Sequence, residues 1–127
     1  GGGQLSHFGL THPGGAIGFR LDWPGHSLAY VTDTTAVVRS SYADSIRGVD
    51  VLVHECYFPD TMAELAELTG HSTTTAVAQL AREVNAGRLI LVHVDPHSEA
   101  VDPIDIQAAR AVFPRAELGQ DLMEVDF

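Results

Sequence analysis

The sequence predicts a layered α/β protein, because short strands fill its first third and strands alternate with helices in the rest. Residues 5–10 alternate apolar with small or polar side chains, which is typical of a half-buried strand. Residues 74–84 instead repeat their apolar side chains at helical spacing. With 45% hydrophobic and 19% charged residues among 127, the composition excludes a disordered or fibrous chain.

Three strands separated by Pro/Gly turns are predicted at the start of the chain. They cover residues 5–10, 16–21 and 27–31. The turns between them contain His12-Pro13-Gly14-Gly15 and Pro24-Gly25. Because such short turns join neighbouring strands, we expect two antiparallel hairpins.

Strands and helices alternate after residue 48. A buried strand is predicted at 49–53, and a helix runs from an Asp60 cap to Leu68. The next helix begins at Ser72 or at one of Thr73 to Thr75, and it stops at Asn85-Ala86-Gly87. A strand at 88–92, a helix from Asp102-Pro103 to Pro114 and a strand at 122–127 complete the order. This order predicts a single domain over residues 1–127.

Charge and cysteine content exclude several classes of protein. A formal net charge of −10 would repel a nucleic-acid backbone, so we expect no large nucleic-acid footprint. No apolar run approaches the roughly 18 residues of a membrane span, so we expect no membrane insertion. The single cysteine, Cys56, excludes an internal disulfide and favours a reducing compartment, and the start resembles no signal peptide. We therefore expect a cytoplasmic protein.

Polar side chains of the kinds that bind metals lie where the predicted strands end. They are His12, Asp33, His54-Glu55, His71 before a helix, and His93. Strand ends in layered α/β proteins converge on one rim, where sites are built. Because His and Asp bind zinc, manganese or iron, this pattern predicts a clustered metal site.

Each of these residues also has a structural interpretation. A single strand-end histidine is more often a hydrogen-bonded structural residue than a ligand, and Asp33 between two threonines could cap a turn. We expect Cys56 to be buried and unreactive, and Tyr57 to be a packing residue. The occurrence of such residues at five junctions favours the clustered site.

The order of these motifs resembles the second half of the metallo-β-lactamase-fold hydrolases, and most of all their ribonuclease Z and phosphodiesterase branch. The resemblance extends from about residue 5 to residue 127, and it rests on His12-Pro13-Gly14-Gly15, Thr32-Asp33-Thr34, His54-Glu55, Gly70-His71-Ser72-Thr73 and Leu91-Val92-His93. It implies the C-terminal half of an αββα sandwich, with an antiparallel or mixed sheet and helices on one face. It also implies a metal-dependent hydrolase that acts as a phosphodiesterase.

The resemblance assigns roles to five residues. It implies two zinc ions in the complete fold, with manganese or iron as alternatives. His12 would bind the first ion, Asp33 would bridge both, and His93 would bind the second. Glu55 and His71 would form a catalytic relay beside the leaving group, in which the carboxylate orients the imidazole.

One family element has no counterpart in this sequence. The signature His-x-His-x-Asp-His, which supplies four ligands in the family, occurs nowhere in the 127 residues. We therefore expect partial or no metal occupancy, and weak or no activity, in this chain alone. The missing N-terminal half, or a second copy through oligomerisation or strand exchange, would complete the site. Gly1-Gly2-Gly3 would then be a cloning or truncation junction.

Two other functions remain open at this point. The same fold hosts hydrolysis of esters, lactones and thioesters, so the substrate class could differ. The chain could also be a non-catalytic half-fold that serves as a dimerisation module, because a large apolar face seldom stays bare on a monomer.

Overall fold

A six-stranded mixed sheet, in which the spatial order of the strands equals their order in the chain, organises the fold. The computed structural model describes residues 2–127. The strands are β1 (Gln4–Leu10), β2 (Ala16–Trp23), β3 (His26–Val31), β4 (Val51–Glu55), β5 (Arg88–Val92) and β6 (Ala116–Leu118). The pairings β1–β2 and β2–β3 are antiparallel, and the three that follow are parallel. Both predicted hairpins and the α/β class with a mixed sheet are thus confirmed.

The helices cover one face of the sheet. They are α1 (Ala63–Thr69), α2 (Thr74–Glu83) and α3 (Ile106–Val112), with short 3-10 turns at Ala43–Ile46 and Asp60–Met62. Val77 and Leu80 of α2 pack with Leu52 of β4 and Leu89 of β5 in one core, and all four side chains are fully buried. The helical spacing of the apolar residues in α2 places them on one face of the helix, and this face packs into the core.

The opposite face of the sheet is open from β1 to β5. Alternation along the strands places a second apolar set there, which lines a shallow depression of about 540 Å³: Leu5, Phe19, Leu21, Leu28, Tyr30, Val53 and Val92. Leu5 is 63% exposed and Tyr30 is 39% exposed. We call this surface the open face.

The predicted helix starts required correction. Asp60 lies in a 3-10 turn and does not cap α1; its carboxylate accepts the backbone N–H of Thr75 at 2.8 Å and so caps α2 from outside that helix. Thr73 is the N-cap residue of α2, but its side chain makes no capping bond. The last helix begins at Ile106, a few residues after the predicted Asp102-Pro103 start, because the Asp102 carboxylate accepts the Ile106 N–H at 2.9 Å.

Two predicted strands lie elsewhere. The strand expected at 49–53 is Val51–Glu55, so His54 and Glu55 belong to the strand and do not follow it. The closing strand expected at 122–127 is wrong: the sixth strand is Ala116–Leu118, which pairs with β5. The end of the chain instead places Phe127 against Trp23, with ring centroids 6.1 Å apart.

No helix within residues 2–127 is long and apolar enough to cross a bilayer.

Candidate metal centre

Three of the predicted site residues converge at the edge of the sheet where β1, β3, β4 and β5 end. His12 follows β1, Asp33 follows β3, and His71 precedes α2. Each offers a ligand atom within 4.8 Å of the other two. β1 and β3 both run antiparallel to β2, and β3 runs parallel to β4 and β5, so these four strands end at the same edge.

The ring of His12 is fixed by the end of α1. Its Nδ1 lies 2.8 Å from the carbonyl oxygen of Gly70, to which it donates. Gly70 ends α1 in the left-handed conformation, with φ of 79°. A Cβ at this position would lie 2.8 Å from His12 Nδ1, so only glycine lets the helix end approach the ring this closely. The bond leaves His12 Nε2 as the nitrogen available to a metal.

Glu55 is the buried acceptor around which the site is arranged. Its Oε1 accepts the backbone N–H groups of Thr34 and Ser72, and its Oε2 accepts that of Tyr57, each at 3.1 Å. The Nδ1 of His71 lies 3.1 Å from the same Oε1. Burial raises the pKa of Glu55, while the three backbone donors act in the opposite direction by stabilising the carboxylate form that accepts from His71.

His71 joins this carboxylate to the metal-binding cluster. Because its Nδ1 faces Glu55, its Nε2 is left for a metal or for proton transfer. Burial lowers the pKa of His71, and the neighbouring His12 and His93 lower it further, whereas Asp33 acts against them. This lowering favours the neutral ring, which is the form that can act as a ligand.

Tyr57 lies in the site, although the sequence indicated a packing residue. Its ring stacks on that of His71 with centroids 4.5 Å apart and planes at 21°. It also meets the His93 ring edge-on at 5.3 Å. The one signal in the sequence was its place two residues after Glu55, which became informative only with the fold.

The last predicted residue, His93, forms an outer pair with Asp33. His93 Nδ1 lies 3.2 Å from Asp33 Oδ1, and the side chains are 43% and 31% exposed. His93 has a φ of 57°, in the left-handed region that histidine seldom adopts. This conformation follows directly after β5 and turns the chain at the rim, and backbone strain of this kind concentrates at functional sites.

His54 has a supporting position in the core. Its Nδ1 donates to the carbonyl oxygen of Glu55 and its Nε2 accepts the hydroxyl of Tyr42, both at 2.7 Å. Burial lowers the pKa of His54 to about 4. Cys56 beside it is buried as expected, and burial raises the pKa of its thiol to about 12, so it carries no thiolate at neutral pH.

The donor set at the rim fits a transition-metal ion. Two imidazoles, each with its Nδ1 occupied, and one carboxylate are the ligands that zinc, manganese and iron bind in proteins. The structure thus brings His12, Asp33 and His71 into one group, places Glu55 behind His71, and places His93 against Asp33.

The sequence of this chain is similar to that of a known family and of known proteins. The sequence pattern of the "Beta-lactamase superfamily domain" matches residues 3–94. A curated relative, ribonuclease Z of Synechococcus sp. (strain CC9902), is 38% identical over 107 residues, which are 81% of this chain and 33% of that protein. The chain therefore spans about a third of the length of this relative.

Two solved structures have the same fold. The metallo-beta-lactamase fold protein YhfI from Bacillus subtilis superimposes with a TM-score of 0.79 at 23% identity, over 93% of this chain and 47% of that one. Human tRNase Z, short form, superimposes with a TM-score of 0.75 at 23% identity, over 94% of this chain and 41% of that one.

Proposed function

Because the chain belongs to the beta-lactamase superfamily, we propose that it forms the part of a metal-dependent phosphodiesterase that carries His12, Asp33 and the Glu55–His71 pair. Membership confirms the family resemblance drawn from the motifs, and the ribonuclease Z relative supports the choice of branch. The single observation that carries the proposal is the grouping of His12, Asp33 and His71 at the rim, where one nitrogen or oxygen atom of each lies within 4.8 Å of the others.

His12 and Asp33 would hold the metal ion. We propose zinc, since neutral imidazole and carboxylate suit it, and since the ring of His12 is already oriented by the carbonyl of Gly70. When bound, zinc supplies a water of lowered pKa and stabilises negative charge on phosphoryl oxygens. His93, which lies against Asp33, would serve a second ion that Asp33 shares.

The Glu55–His71 pair would deliver a proton to the leaving group. Glu55 accepts from Nδ1 of His71 and fixes the tautomer, so Nε2 is the atom that would take up a proton from solvent and give it to the leaving alkoxide. This nitrogen cannot bind zinc and donate a proton at the same time. We propose that it takes the proton-transfer role where further ligands hold the metal.

The open face supports the need for a second part. A contiguous apolar surface on one side of the sheet is seldom left bare, and the curated relative is about three times as long as the matched segment. We propose that the remaining part of a longer protein packs on this face and supplies the other metal ligands. The buried thiol agrees with a cytoplasmic location, which we propose as well.

The test uses the full gene product that contains this chain, loaded with zinc. We expect cleavage of bis(p-nitrophenyl) phosphate, and loss of both metal and turnover in His12→Ala. His71→Ala should retain its zinc while turnover falls by about 100-fold or more, in the range expected for loss of a general acid. His7→Ala, an exposed histidine on β1 outside the cluster, is the matched control.

Three results would contradict the proposal. Cleavage of p-nitrophenyl acetate without cleavage of the phosphodiester would indicate an ester hydrolase of the same fold. Loss of zinc in His71→Ala would show that this histidine is a metal ligand and not the proton donor. If the full gene product forms a dimer through the open face of this chain, the result would favour the dimerisation module.

A further inference from the structure

An apolar pocket of about 310 Å³ lies beside His71. The loop after β4, the start of α1 and the turn after β5 form its walls. Its apolar surface comes from Tyr57, Phe58, Met62 and Leu65. Its volume lies at the lower end of the range in which proteins bind small organic groups.

The pocket is continuous with the metal-binding cluster through one side chain. His71 lines the pocket, and its ring centroid is 5.2 Å from that of His12. Tyr57 stacks on His71 with ring centroids 4.5 Å apart, and its ring centroid lies 4.7 Å from that of Phe58. A group in this pocket would therefore lie next to the residue that the proposed function uses as proton donor.

The charge of the lining indicates an uncharged ligand. None of the side chains that line the pocket is Lys or Arg, and the lining includes the carboxylate of Asp95 and the imidazole of His97. A phosphate group would find no fixed positive charge there and would be repelled by the carboxylate. An aromatic ring without charge would meet two aromatic side chains and two aliphatic ones.

The walls on the β4 side are held by backbone hydrogen bonds. Tyr57 donates its N–H to Glu55 Oε2, and its carbonyl accepts the N–H of Asp95, both at 3.1 Å. Phe58 is buried, and its N–H donates to the carbonyl of Ser72. A site that is already ordered loses little conformational entropy when a ligand enters, which favours binding of a small group.

Two apolar side chains in the pocket wall, Met62 and Leu65, are partly exposed on the outer side. Met62 is 37% exposed and Leu65 is 39% exposed, although both are large apolar side chains. On a short helix of this kind, exposed apolar residues beside a candidate active site favour contact with a substrate.

We propose that this pocket binds the uncharged aromatic ring of the leaving alcohol, either an aryl ring or a nucleobase. The proposal rests on the proposed function, because it is the role of His71 that places the leaving group here. It adds a subsite to the reaction: the phosphoryl group stays at His12 and Asp33, and the ring stacks on the apolar wall formed with Tyr57.

The test is binding of the free alcohol by the metal-free chain, followed by amide chemical shifts. We expect phenol, adenosine or uridine to shift the amides of Tyr57, Phe58 and Leu65 in a saturable way. Cyclohexanol, a ring of similar size without aromatic character, should shift them less. Phenol against the two nucleosides separates an aryl leaving group from a nucleoside.

Leu65→Ser is the matched variant, because this residue is on the exposed side of α1 and contributes little to the core. It should weaken binding by about fivefold, the factor that corresponds to loss of roughly 1 kcal/mol of apolar contact. Leu5→Ser on the open face should leave binding unchanged. Equal binding of cyclohexanol and phenol, or unchanged binding in Leu65→Ser, would overturn the proposal.

The outcome is separable from that of the proposed function. If the ring binds and the metal-loaded gene product cleaves no phosphodiester, the ring-binding pocket is supported and the proposed phosphodiesterase activity is wrong. If phosphodiesters are cleaved and no ring binds, the proposed subsite is wrong and the proposed phosphodiesterase activity is supported. Shifts confined to the open face would show that another part of the protein carries the ring-binding surface, and would also overturn it.

Discussion

The two parts of the rim differ in how firmly they are held. The inner part, His12, Glu55 and His71, is fixed by hydrogen bonds to the end of α1 and to the backbone around Glu55, whose side chain is fully buried. The outer pair, Asp33 and His93, is much more exposed, and its members contact each other at 3.2 Å. The inner part is thus formed by folding itself, whereas the outer pair depends on a metal or on additional protein to fix it.

The strongest test of this difference is removal of the buried acceptor. Glu55→Ala leaves the N–H groups of Thr34, Ser72 and Tyr57 without their partner, and His71 loses its own. We expect the free energy of unfolding in urea to fall by about 4 kcal/mol, since each unsatisfied buried donor costs about 1–3 kcal/mol and some regain water.

Glu55→Gln provides the control, because it retains one oxygen acceptor. We expect a loss of only about 1–2 kcal/mol for this variant. The exposed Glu67→Ala on α1 should change the free energy of unfolding by less than about 0.5 kcal/mol. Equal stability of Glu55→Ala and the wild type would show that the inner part does not depend on this carboxylate.

The second test concerns the support beneath Glu55. Burial holds the pKa of His54 at about 4, below the ordinary 6.5, so the folded protein keeps this ring neutral while the unfolded chain protonates it below pH 6.5. Its contribution to stability is therefore complete above pH 6.5, and it is lost as the pH falls toward 4.

The measurement compares the wild type with His54→Gln, which does not titrate. Between pH 6.5 and 4.5 the wild type should lose about 2–3 kcal/mol more of its free energy of unfolding than the variant. Because the pKa of Glu55 is raised, its contribution to the free energy of unfolding changes with pH in the opposite direction. This contribution is present in both proteins and cancels when their pH profiles are subtracted. Parallel pH profiles would mean that His54 is not held neutral by the fold.

The third test separates the two parts by metal affinity. Zinc titrated calorimetrically into this chain should bind at least about tenfold more weakly to His12→Ala, because that variant removes an oriented ligand. His93→Ala should change the affinity by less than about threefold, since its ring is not held in position. The exposed His7→Ala and His97→Ala should behave like the wild type, and the reverse order for His12 and His93 would contradict the comparison.

The smallest effect concerns the backbone of the outer pair. His93 adopts a φ of 57°, which glycine adopts without strain. We expect His93→Gly to raise the free energy of unfolding of the metal-free chain by about 0.5 kcal/mol, after the greater flexibility of the unfolded chain is deducted. His97→Gly should lower it, and a loss of stability in both variants alike would show that His93 is unstrained.

Patterns in the sequence located most of the sheet, because the strands carry their own signals. Residues 88–92 were predicted as a strand and form β5 with the same bounds. The strand predicted at 122–127 is wrong, because a local pattern does not show which segment pairs with β5. Ala116–Leu118 pairs with β5, with Ala116 opposite Leu89. Tertiary pairing overrides a local pattern in such short segments.

The candidate site likewise contains residues that the sequence could predict and residues that it could not. Strand ends indicated His12, Asp33 and His93, because residue type and position suffice to place a polar side chain at a rim. The roles of Gly70 and Tyr57 could not be predicted, since each depends on a contact with a residue from another segment. These two residues fix and cover the histidines, and only the fold reveals them.

The order of the strands in the sheet also bears on how the protein folds. Each strand pairs with its neighbours in the chain, so β1, β2 and β3 can associate through the short turns at 11–15 and 24–25. The parallel pairings must first close the longer connections at 32–50, 56–87 and 93–115, and a longer closure costs more chain entropy and takes longer. We expect the three-stranded meander to form early, and the rim, whose residues come from positions 12 to 93, to be among the last parts to assemble.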